Sequence, residues 1–292
     1  MIYDKNGSSL TSAYDKDGTA LTSAYDKNGT LVYTSTTETL KVMTYNVGQW
    51  YIGTSAKVPT AKKADYSAIH NHAFSTYQPD VLFLQEALST WCDDGSLTSD
   101  LLAPYFDNTE SSRTTTSYQG HYICTNGYPI SNYEIHDFTS HGGNYPSFES
   151  CEITVGGKVI TLINTHNDYS TVYQSSEVAD LLNFVSDLDY FVLCGDFNIG
   201  LSVEDTTDSQ YVNNVKAFLR AGYNVGNCVV GWIPTYFSTA EPTGGMFTDE
   251  IITSQNITIS NLYADTTKLT DAISDKIDHI PLIAELVVTV VN

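Results

Sequence analysis

The sequence predicts a mixed α/β fold in which apolar strands alternate with helices. Short apolar runs that end at Gly or at a polar residue, at positions 80–86 and 190–195, are typical of buried strands. Helix candidates, at 61–77 and 175–188, lie between such runs. Two apolar segments on either side of a Gly-Gly pair, over 152–164, predict a hairpin. Mixed sheets with helices packed against them are the architecture that this order favours.

The elements of the first half can be justified one by one. Residues 40–46 alternate between apolar and polar types, which predicts a strand that ends at Asn46. Residues 61–77 have apolar side chains at roughly helical spacing, and Pro79 closes this predicted helix. Residues 80–86 are mostly apolar and predict a buried strand.

The second half continues the same alternation, and its last strand reaches almost to the end of the chain. The predicted elements are, in order, a hairpin over 152–155 and 158–164, a helix over 175–188, a strand over 190–196, a helix over 212–219, a strand that begins at 249 and a strand over 280–290. We therefore expect one continuous α/β unit over this part of the chain.

The composition predicts an acidic domain with a substantial core. The 292 residues are 41% hydrophobic and carry a formal charge of −21, with only 13 Lys and Arg. Non-specific binding to nucleic acid depends largely on Lys and Arg at phosphates, so we expect it to be weak. A bound divalent cation can reverse the charge locally, and the composition is therefore compatible with phosphodiester chemistry.

The cysteines and the hydropathy pattern indicate the cellular compartment in which we expect the protein. The five cysteines are scattered and include no CxxC pair, which argues against a zinc knot or a disulfide framework and favours a reducing environment. The polar start does not resemble a secretory signal, and no apolar run is long enough to span a bilayer. We expect a cytoplasmic protein or one carried on a larger particle, and export by another route stays open.

A short internal repeat occupies the N-terminal part of the chain. Its three units begin at Tyr3, Tyr14 and Tyr25, and each joins an Asn-Gly or Asp-Gly turn to a short segment of strand character. Since a lone hairpin is marginal in water, the units need a partner surface or self-association. We predict that residues 1–37 form a tether or an interaction segment for a protein partner, with a flexible leader as the alternative, and that residues 38–292 form the main domain.

Polar residues of few types stand at the ends of the apolar strands. They are Asn46, Glu86, His166, Asp196 with Asn198, and Asp278 with His279. Side chains two residues apart in an extended chain share one face, so Asp196 and Asn198 are presented together. Taken singly, each could be a polar strand end or, for His166, a core histidine. Together they indicate that one rim of the sheets is a reaction site.

Seven motifs in a fixed order strengthen this interpretation. They are Thr44-Tyr-Asn46, Gln78-Pro-Asp-Val-Leu-Phe-Leu-Gln-Glu86, Tyr128-Pro-Ile130, Asn164-Thr-His166, Gly195-Asp-Phe-Asn198, Thr248-Asp-Glu-Ile251 and Asp278-His-Ile-Pro-Leu282. This set resembles the endonuclease/exonuclease/phosphatase superfamily, with its DNase I-like fold, from about residue 40 to the C-terminus. The resemblance implies a four-layer α/β sandwich of two packed mixed β-sheets flanked by helices, and it makes residues 38–292 a catalytic domain.

The resemblance also implies a divalent cation, with Mg²⁺ as the expected ion and Mn²⁺ or Ca²⁺ as alternatives. Glu86 would be the main metal ligand, supported by Asn46 and Asp278. Oxygen ligands of this kind, shared with a substrate phosphate, suit Mg²⁺.

The remaining site residues are expected to bind the phosphate and to orient the attacking water. By the same resemblance, Asp196 would orient and activate the water and Asn198 would hold a non-bridging phosphate oxygen. His279, paired with Asp249, would lie near the scissile phosphate, and His166 would contact it from the other side. Whether Asp196 or His279 is the general base stays open.

The implied activity is metal-dependent hydrolysis of a phosphate ester, with a phosphodiester in a nuclease-type reaction as the leading expectation. The alternatives are a phosphatase or sphingomyelinase-like phospholipase that acts on a small or lipid substrate, or a catalytically idle binding or structural module carried by the repeats. DNA-cutting members often carry Arg shortly after the metal-binding Glu, whereas Ala87 follows it here, which leaves the substrate open. Five further histidines match no motif and are expected to be surface, loop or solvated residues: His70, His72, His121, His136 and His141.

Overall fold

A computed structural model describes residues 23–25, 31–48, 57–112, 120–141, 146–201, 215–229, 233–236, 247–266 and 278–291. The strands are β1 (Ser23–Tyr25), β2 (Leu31–Asn46), β3 (Val81–Gln85), β4 (Asn108–Ser112), β5 (His121–Thr125), β6 (Ser131–Asp137), β7 (Ser147–Val155), β8 (Lys158–His166), β9 (Phe191–Leu201), β10 (Asn224–Val225), β11 (Phe247–Thr253), β12 (Ile257–Ala264) and β13 (Leu282–Val291). The helices are α1 (Lys63–Tyr77), which follows a 3₁₀ turn over Thr60–Lys62, α2 (Thr98–Leu102), α3 (Thr171–Val185), α4 (Val215–Arg220) and α5 (Gly226–Val229).

The first sheet has the strand order β12-β13-β2-β3-β5-β4, and β1 pairs with the N-terminal part of β2. β2 and β3 run parallel, whereas the other neighbours are antiparallel, so the sheet is mixed. Because β2 and β3 are parallel and in register at Asn46 and Gln85, both strands end at the same edge of the sheet.

The second sheet has the order β10-β11-β9-β8-β7-β6 and is mixed as well. Its parallel pair is β8 and β9, in which His166 lies opposite Asp196. Each sheet therefore has one parallel pair in its interior, and each of these pairs ends in residues that the sequence assigned to the site.

Three apolar clusters divide the molecule into layers. The cluster between the two sheets includes Phe83 from β3 and Leu162 from β8. A second cluster, with Phe74 and Leu84, packs α1 against the outer face of the first sheet, and a third, with Leu181, packs α3 against the second sheet. Along β3 alternate side chains enter the first and the second cluster, which is why a continuous apolar run forms a strand buried on both faces. The predicted four-layer α/β sandwich is confirmed.

The predicted elements agree with the observed ones to within a few residues at their ends. The helix expected at 61–77 is α1, the one expected at 175–188 is α3 and begins four residues earlier, and the one expected at 212–219 is α4. The strand expected to begin at 249 is β11, which begins at Phe247.

The predicted boundary between residues 37 and 38 lies within a strand. β2 runs without interruption from Leu31 to Asn46, and Ser35 pairs with Val291 at the end of β13. The first repeat unit and most of the second lie outside the described residues, whereas the end of the second unit and the first residue of the third form β1, and the last residues of the third unit belong to β2. The division into a repeat segment and a catalytic domain stays a prediction.

Two further observations concern the chain as a whole. No helix within the described ranges is both long and apolar enough to cross a membrane. The five cysteines are free thiols, and four of them are buried.

Candidate active site

The predicted site residues meet at the edge where the parallel pairs end. Asn46 and Glu86 come from the C-terminal ends of β2 and β3 in the first sheet. His166 and Asp196 come from β8 and β9 in the second. His279 lies just before β13 and forms an isolated bridge with Tyr236. The two sheets thus each supply part of one cluster, because their parallel strands end at the same rim.

One carboxylate oxygen, Oδ2 of Asp196, is the centre of this cluster. Asn46 Nδ2 donates a hydrogen bond to it at 3.0 Å. His166 Nε2 lies 3.4 Å away and His279 Nε2 lies 3.5 Å away. Asp196 is 1% exposed, so this carboxylate is held by three side chains from different parts of the chain.

The other carboxylate oxygen of Asp196 fixes the turn that follows. Asn198 N donates to Asp196 Oδ1 at 2.7 Å, and Asn198 adopts a left-handed backbone conformation with φ 51°. The side chain of Asn198 donates to Asn167 O at 2.7 Å, and Gln174 Nε2 of α3 donates to Asn198 O at 2.9 Å. These contacts hold the Asn198 amide, which is partly exposed, beside the acid.

Gly195 is required by the close approach of β8 and β9 at this point. A Cβ atom on Gly195 would lie 1.9 Å from the backbone oxygen of Thr165, which no side chain can tolerate. The glycine of the Gly195-Asp-Phe-Asn198 motif therefore allows His166 and Asp196 to stand side by side at the strand ends.

His279 is paired with a buried carboxylate from a neighbouring strand. Its Nδ1 lies 2.9 Å from Asp249 Oδ2, and Thr248 Oγ1 donates to the same oxygen at 3.0 Å. Asp249 lies opposite Asp196 in the β11–β9 ladder. This geometry orients the imidazole so that its Nε2 faces Asp196.

The charges in the cluster shift the pKa values of Asp196, His279 and His166. Burial alone would raise the pKa of Asp196, but His279 and His166 outweigh this effect and lower the pKa to about 2. Burial alone would lower the pKa of His279, but Asp249 and Asp196 raise it to about 10. The pKa of His166 is also raised, since a hydrogen bond and the charge of Asp196, together with Glu86, outweigh burial. At neutral pH an ionised Asp196 thus lies beside a protonated His279, and its charge also favours the protonated form of His166.

Glu86 carries the feature that best fits a metal ligand. Its Oε1 accepts a hydrogen bond from Asn46 Nδ2 at 3.2 Å, whereas its Oε2 is buried without a hydrogen-bond partner among the described residues. Burial raises the pKa of Glu86 to about 7. A buried carboxylate oxygen without a hydrogen-bond donor lowers the stability of the fold unless it binds a cation. The residues at this position therefore fit a divalent ion.

Asn46 and Asp278 lie where they could support such an ion. The Asn46 carbonyl oxygen accepts a hydrogen bond from Gly48 N at 3.0 Å and keeps a second lone pair. Asp278 Oδ1 approaches the same Gly48, and burial raises the pKa of this acid. Three oxygen donors with retained waters are a ligand set that suits Mg²⁺.

A second group of potential ligands lies nearby. One donor atom each from Asp196, Asp249 and His279 falls within 4.8 Å of the others. Because His279 Nδ1 already contacts Asp249 Oδ2, we interpret this group as a carboxylate–imidazole pair beside an acid rather than as a separate metal site.

All eight residues expected at the site are described, and the structure places them at one rim. Two supporting residues were not predicted, namely Asn167, whose backbone oxygen holds Asn198, and Gln174, which contacts Asn198 from α3. Asn167 directly follows His166, so its position in the chain could have suggested it. Nothing in the sequence distinguishes Gln174 from other helix residues.

The expectation for the unassigned histidines is wrong for two of them. His70 is fully buried among the rings of Tyr45, Tyr66 and Phe74. His121 is 4% exposed and lies at the start of β5. Both positions fall on the inward face of a regular element, where burial is decided by packing that single-residue polarity does not reveal.

Solved structures with the same fold extend these observations. The chain resembles D. rerio TDP2 in a complex with single-strand DNA product, with 14% identity, a TM-score of 0.62 and coverage of 85% of this chain and 99% of that one. It also resembles an endonuclease/exonuclease/phosphatase from Beutenbergia cavernae, with 16% identity, a TM-score of 0.63 and coverage of 86% and 72%. The human Nocturnin catalytic domain with bound sulfate is similar at 15% identity, a TM-score of 0.60 and coverage of 87% and 96%.

No protein-family model matches the sequence, and no curated protein matches it either. The likeness to these solved structures, together with the two packed mixed sheets, nevertheless shows the fold: the chain has the DNase I-like α/β sandwich.

Proposed function

We propose that the protein is a divalent-metal-dependent phosphoesterase that hydrolyses a phosphodiester in a nuclease-type reaction. The observation that carries the proposal is the Asp196 carboxylate, which lies within 3.5 Å of two imidazoles at the rim where both sheets end. The orphaned oxygen of Glu86 beside it supports the metal dependence. A fold of this class alone would not be sufficient, because function belongs to the site and not to the fold.

In the proposed reaction Asp196 receives a proton from the attacking water. The water oxygen forms a bond to phosphorus while the ester P–O bond on the opposite side breaks. His279 has its pKa raised to about 10, so at neutral pH its Nε2 carries a proton and cannot accept one. This favours Asp196 over His279 as the general base and leaves His279 as a donor to a phosphate oxygen.

The leaving oxygen takes its proton from the other side of the site. His166, whose pKa is raised, donates the proton from Nε2, and the products are a phosphomonoester and an alcohol. Asn198 contributes a neutral donor to a non-bridging oxygen, because its amide is held by Asn167 and carries a second N–H. Glu86, Asn46 and Asp278 would hold a divalent cation, which when bound offsets the negative charge of the phosphate.

One observation favours an apolar substrate as the second candidate. Tyr169 and Val172 are 68% and 76% exposed, and they follow His166 closely at the beginning of α3. Apolar side chains so exposed next to a site can contact an apolar group of a ligand. A phospholipid or a small aromatic phosphoester would use them, which is consistent with the charge of −21 and the low content of Lys and Arg.

The test is a substrate panel with the purified protein. Circular and linear DNA, RNA, sphingomyelin vesicles and bis-p-nitrophenyl phosphate are incubated with Mg²⁺ or with EDTA. We expect turnover of at least one substrate that requires the metal and falls about 10²–10⁴-fold in Asp196→Asn and His279→Ala. His141→Ala, which changes an exposed histidine, is the matched control and keeps the wild-type rate. Turnover by the wild type that survives EDTA, or that Asp196→Asn leaves intact, would reject the proposed mechanism.

A further inference from the structure

His121 occupies the space between the two sheets next to the cluster. It is the first residue of β5, and Ile123, two residues later on the same face, packs in the cluster between the sheets. The His121 side chain therefore projects toward the second sheet. Its ring centroid lies 6.3 Å from that of His166, with an angle of 48° between the rings.

The backbone before His121 is fixed against the segment that carries Glu86. Ala87 N donates to Gly120 O at 2.8 Å. A Cβ atom on Gly120 would lie 1.7 Å from Ala87 O, so only glycine permits this approach. The backbone of Gly120, which precedes His121, is thus held against Ala87, which follows Glu86, while the side chain of His121 lies beside His166.

The ring nitrogens of His121 lack hydrogen-bond partners among the described residues. Within the part of the chain that the structure describes, neither Nδ1 nor Nε2 of His121 has a hydrogen-bond partner, and both atoms are buried. Burial, with a smaller effect from His166, lowers the pKa of His121 to about 3. The ring is therefore neutral and offers one N–H donor and one lone pair. A buried polar group that lacks a partner costs stability, and such costs often accompany a function.

We propose that His121 is a further substrate-contacting residue, whose neutral imidazole donates its N–H to an oxygen of the bound phosphoester on the side of His166. The inference rests on the proposed phosphoesterase function. A neutral donor at this position adds a contact to the phosphate without adding a further positive charge to that of His279. It would also give the buried ring nitrogens a hydrogen-bond partner, which the described residues do not supply.

The competing explanation is a histidine that merely fills the core. The two explanations predict opposite effects of His121→Phe, which keeps the ring shape and removes the donor. If the ring only fills space, the substitution removes a buried polar group that lacks a hydrogen bond, so the protein becomes more stable and its activity is unchanged. If the ring contacts substrate, stability is equal or higher but activity falls.

His70 provides a matched control for this experiment. It is also a fully buried imidazole whose pKa is lowered to about 3 and whose ring nitrogens have no partner among the described residues, but it packs on the helix side of the first sheet. His70→Phe should therefore leave kcat/KM unchanged. His121→Gln keeps an N–H donor and should recover part of the lost activity.

The measurement is kcat/KM for whichever phosphoester the wild type turns over in the presence of Mg²⁺, with melting temperatures measured in parallel. We expect a loss of about 10- to 100-fold in His121→Phe without a lower melting temperature, and a smaller loss in His121→Gln. A His121→Phe variant within twofold of the wild type, while His166→Ala is impaired, would overturn this inference alone. A wild type without turnover on any phosphoester would overturn the proposed function and this inference together.

A second measurement covers the case in which His121→Phe does not fold. Inorganic phosphate is added to the Mg²⁺-loaded wild type, and the imidazole ¹⁵N signals of its histidines are followed by NMR. We expect the His121 signals to shift with saturation while those of His70 stay in place. Signals of His121 that do not respond, although those of His166 do, would show that His121 does not contact the phosphate and would overturn the inference.

Discussion

At the scale of single residues, the candidate active site is organised around one oxygen atom. Asp196 Oδ2 is within 3.5 Å of side chains from β2, β8 and the segment before β13. The same residue uses Oδ1 to fix Asn198. The two oxygens of Asp196 thus have different contacts: Oδ2 faces the side chains of the site, and Oδ1 fixes the backbone turn at Asn198. This explains why an acid and an amide stand two residues apart in the sequence.

The pair of His279 and Asp249 yields the first prediction. Asp249→Asn keeps the size of the side chain and removes its charge, so the protonated form of His279 loses its main support. We expect kcat to fall about 10- to 1000-fold while the melting temperature changes little. The measurement is steady-state hydrolysis at pH 7. Asp180→Asn, which changes a partly exposed acid that accepts a hydrogen bond from Thr139 N, is the control, and an equal loss in that variant would contradict the prediction.

His70 yields a prediction about stability and pH. Its pKa is lowered by burial from 6.5 to about 3, so between these values the unfolded chain binds a proton that the folded chain does not. Stability is therefore complete above pH 6.5 and falls as the pH is lowered. At pH 5 the cost is about 2 kcal/mol. We expect urea unfolding of His70→Phe at pH 7.5 and pH 5 to show a smaller loss on acidification than in the wild type. Equal losses in both proteins would contradict the assignment.

The histidines also show what sequence can and cannot predict at this scale. His166 and His279 were predicted because the first stands at the end of an apolar strand, the second stands just before one, and both belong to an ordered set of motifs. His70 and His121 have no such context, and their burial depends on which face of α1 or β5 points inward. Which face is buried depends on contacts with residues distant in the sequence, such as the ring of Tyr45 and the residues of β8. A single sequence does not reveal these contacts.

At the scale of elements, the main question is how the two sheets keep the site aligned. The side chain of Asn164, in β8 of the second sheet, forms hydrogen bonds with residues of the first sheet. Its Nδ2 donates to Leu84 O at 2.9 Å and to Tyr122 O at 3.1 Å, while its Oδ1 accepts from Gln85 Nε2 at 2.7 Å. Since His166 lies two residues further on the same strand, Asn164 sets the position of β8 against the ends of β3 and β5.

Glu149 completes this buried connection. It accepts hydrogen bonds from Asn164 Nδ2, from Ser112 N and from the Tyr133 hydroxyl. Burial raises the pKa of Glu149 to about 7, although these donors partly offset the effect. The group joins β4, β6, β7 and β8, so it couples both sheets behind the cluster.

The corresponding prediction concerns Asn164→Leu. The substitution keeps the volume but leaves the carbonyl groups of Leu84 and Tyr122 without their donor, which should lower the free energy of unfolding by about 2–4 kcal/mol. We also expect kcat to fall about 10-fold or more, because His166 and Glu86 belong to different sheets.

Asn224→Leu is the control for this change. Asn224 donates to Ile257 O and Ser254 O at the edge of the second sheet, away from the cluster. Unfolding in urea and kcat are measured for both variants. Loss of stability with unchanged kcat in Asn164→Leu, as in Asn224→Leu, would show that Asn164 has no positioning role.

The fold was predictable at this scale where apolar runs are continuous and end in turn residues, as for β3 and β9. The short helix α2 and the edge strand β4, in which Asn108–Ser112 is polar throughout, were not predicted. An edge strand such as β4 forms because β5 offers hydrogen-bond partners, which the residues of β4 do not indicate.

At the scale of the whole molecule, the junction between the repeats and the sandwich can be tested by deletion. Removal of residues 1–22 leaves every described strand intact, and we expect kcat and the melting temperature to stay at wild-type values. Removal of residues 1–38 takes away the part of β2 that pairs with the end of β13, so we expect the melting temperature to fall by about 5 °C or more. Activity and thermal unfolding of both deletions are the measurements. A large loss in the shorter deletion would contradict a tether role for the repeats.

The central claim for the whole molecule is that Glu86, on one sheet, and Asp196, on the other, act together on a phosphate ester through a divalent cation. The most direct measurement is the hydrolysis rate of bis-p-nitrophenyl phosphate, or of the best substrate of the panel, as a function of Mg²⁺ concentration in the wild type and in Glu86→Gln. We predict saturation by Mg²⁺ in the wild type, no turnover in EDTA, and at least a tenfold higher half-saturating Mg²⁺ concentration in Glu86→Gln, because the variant loses the anionic ligand. An identical Mg²⁺ dependence in both proteins, or turnover that needs no divalent ion, would contradict the account.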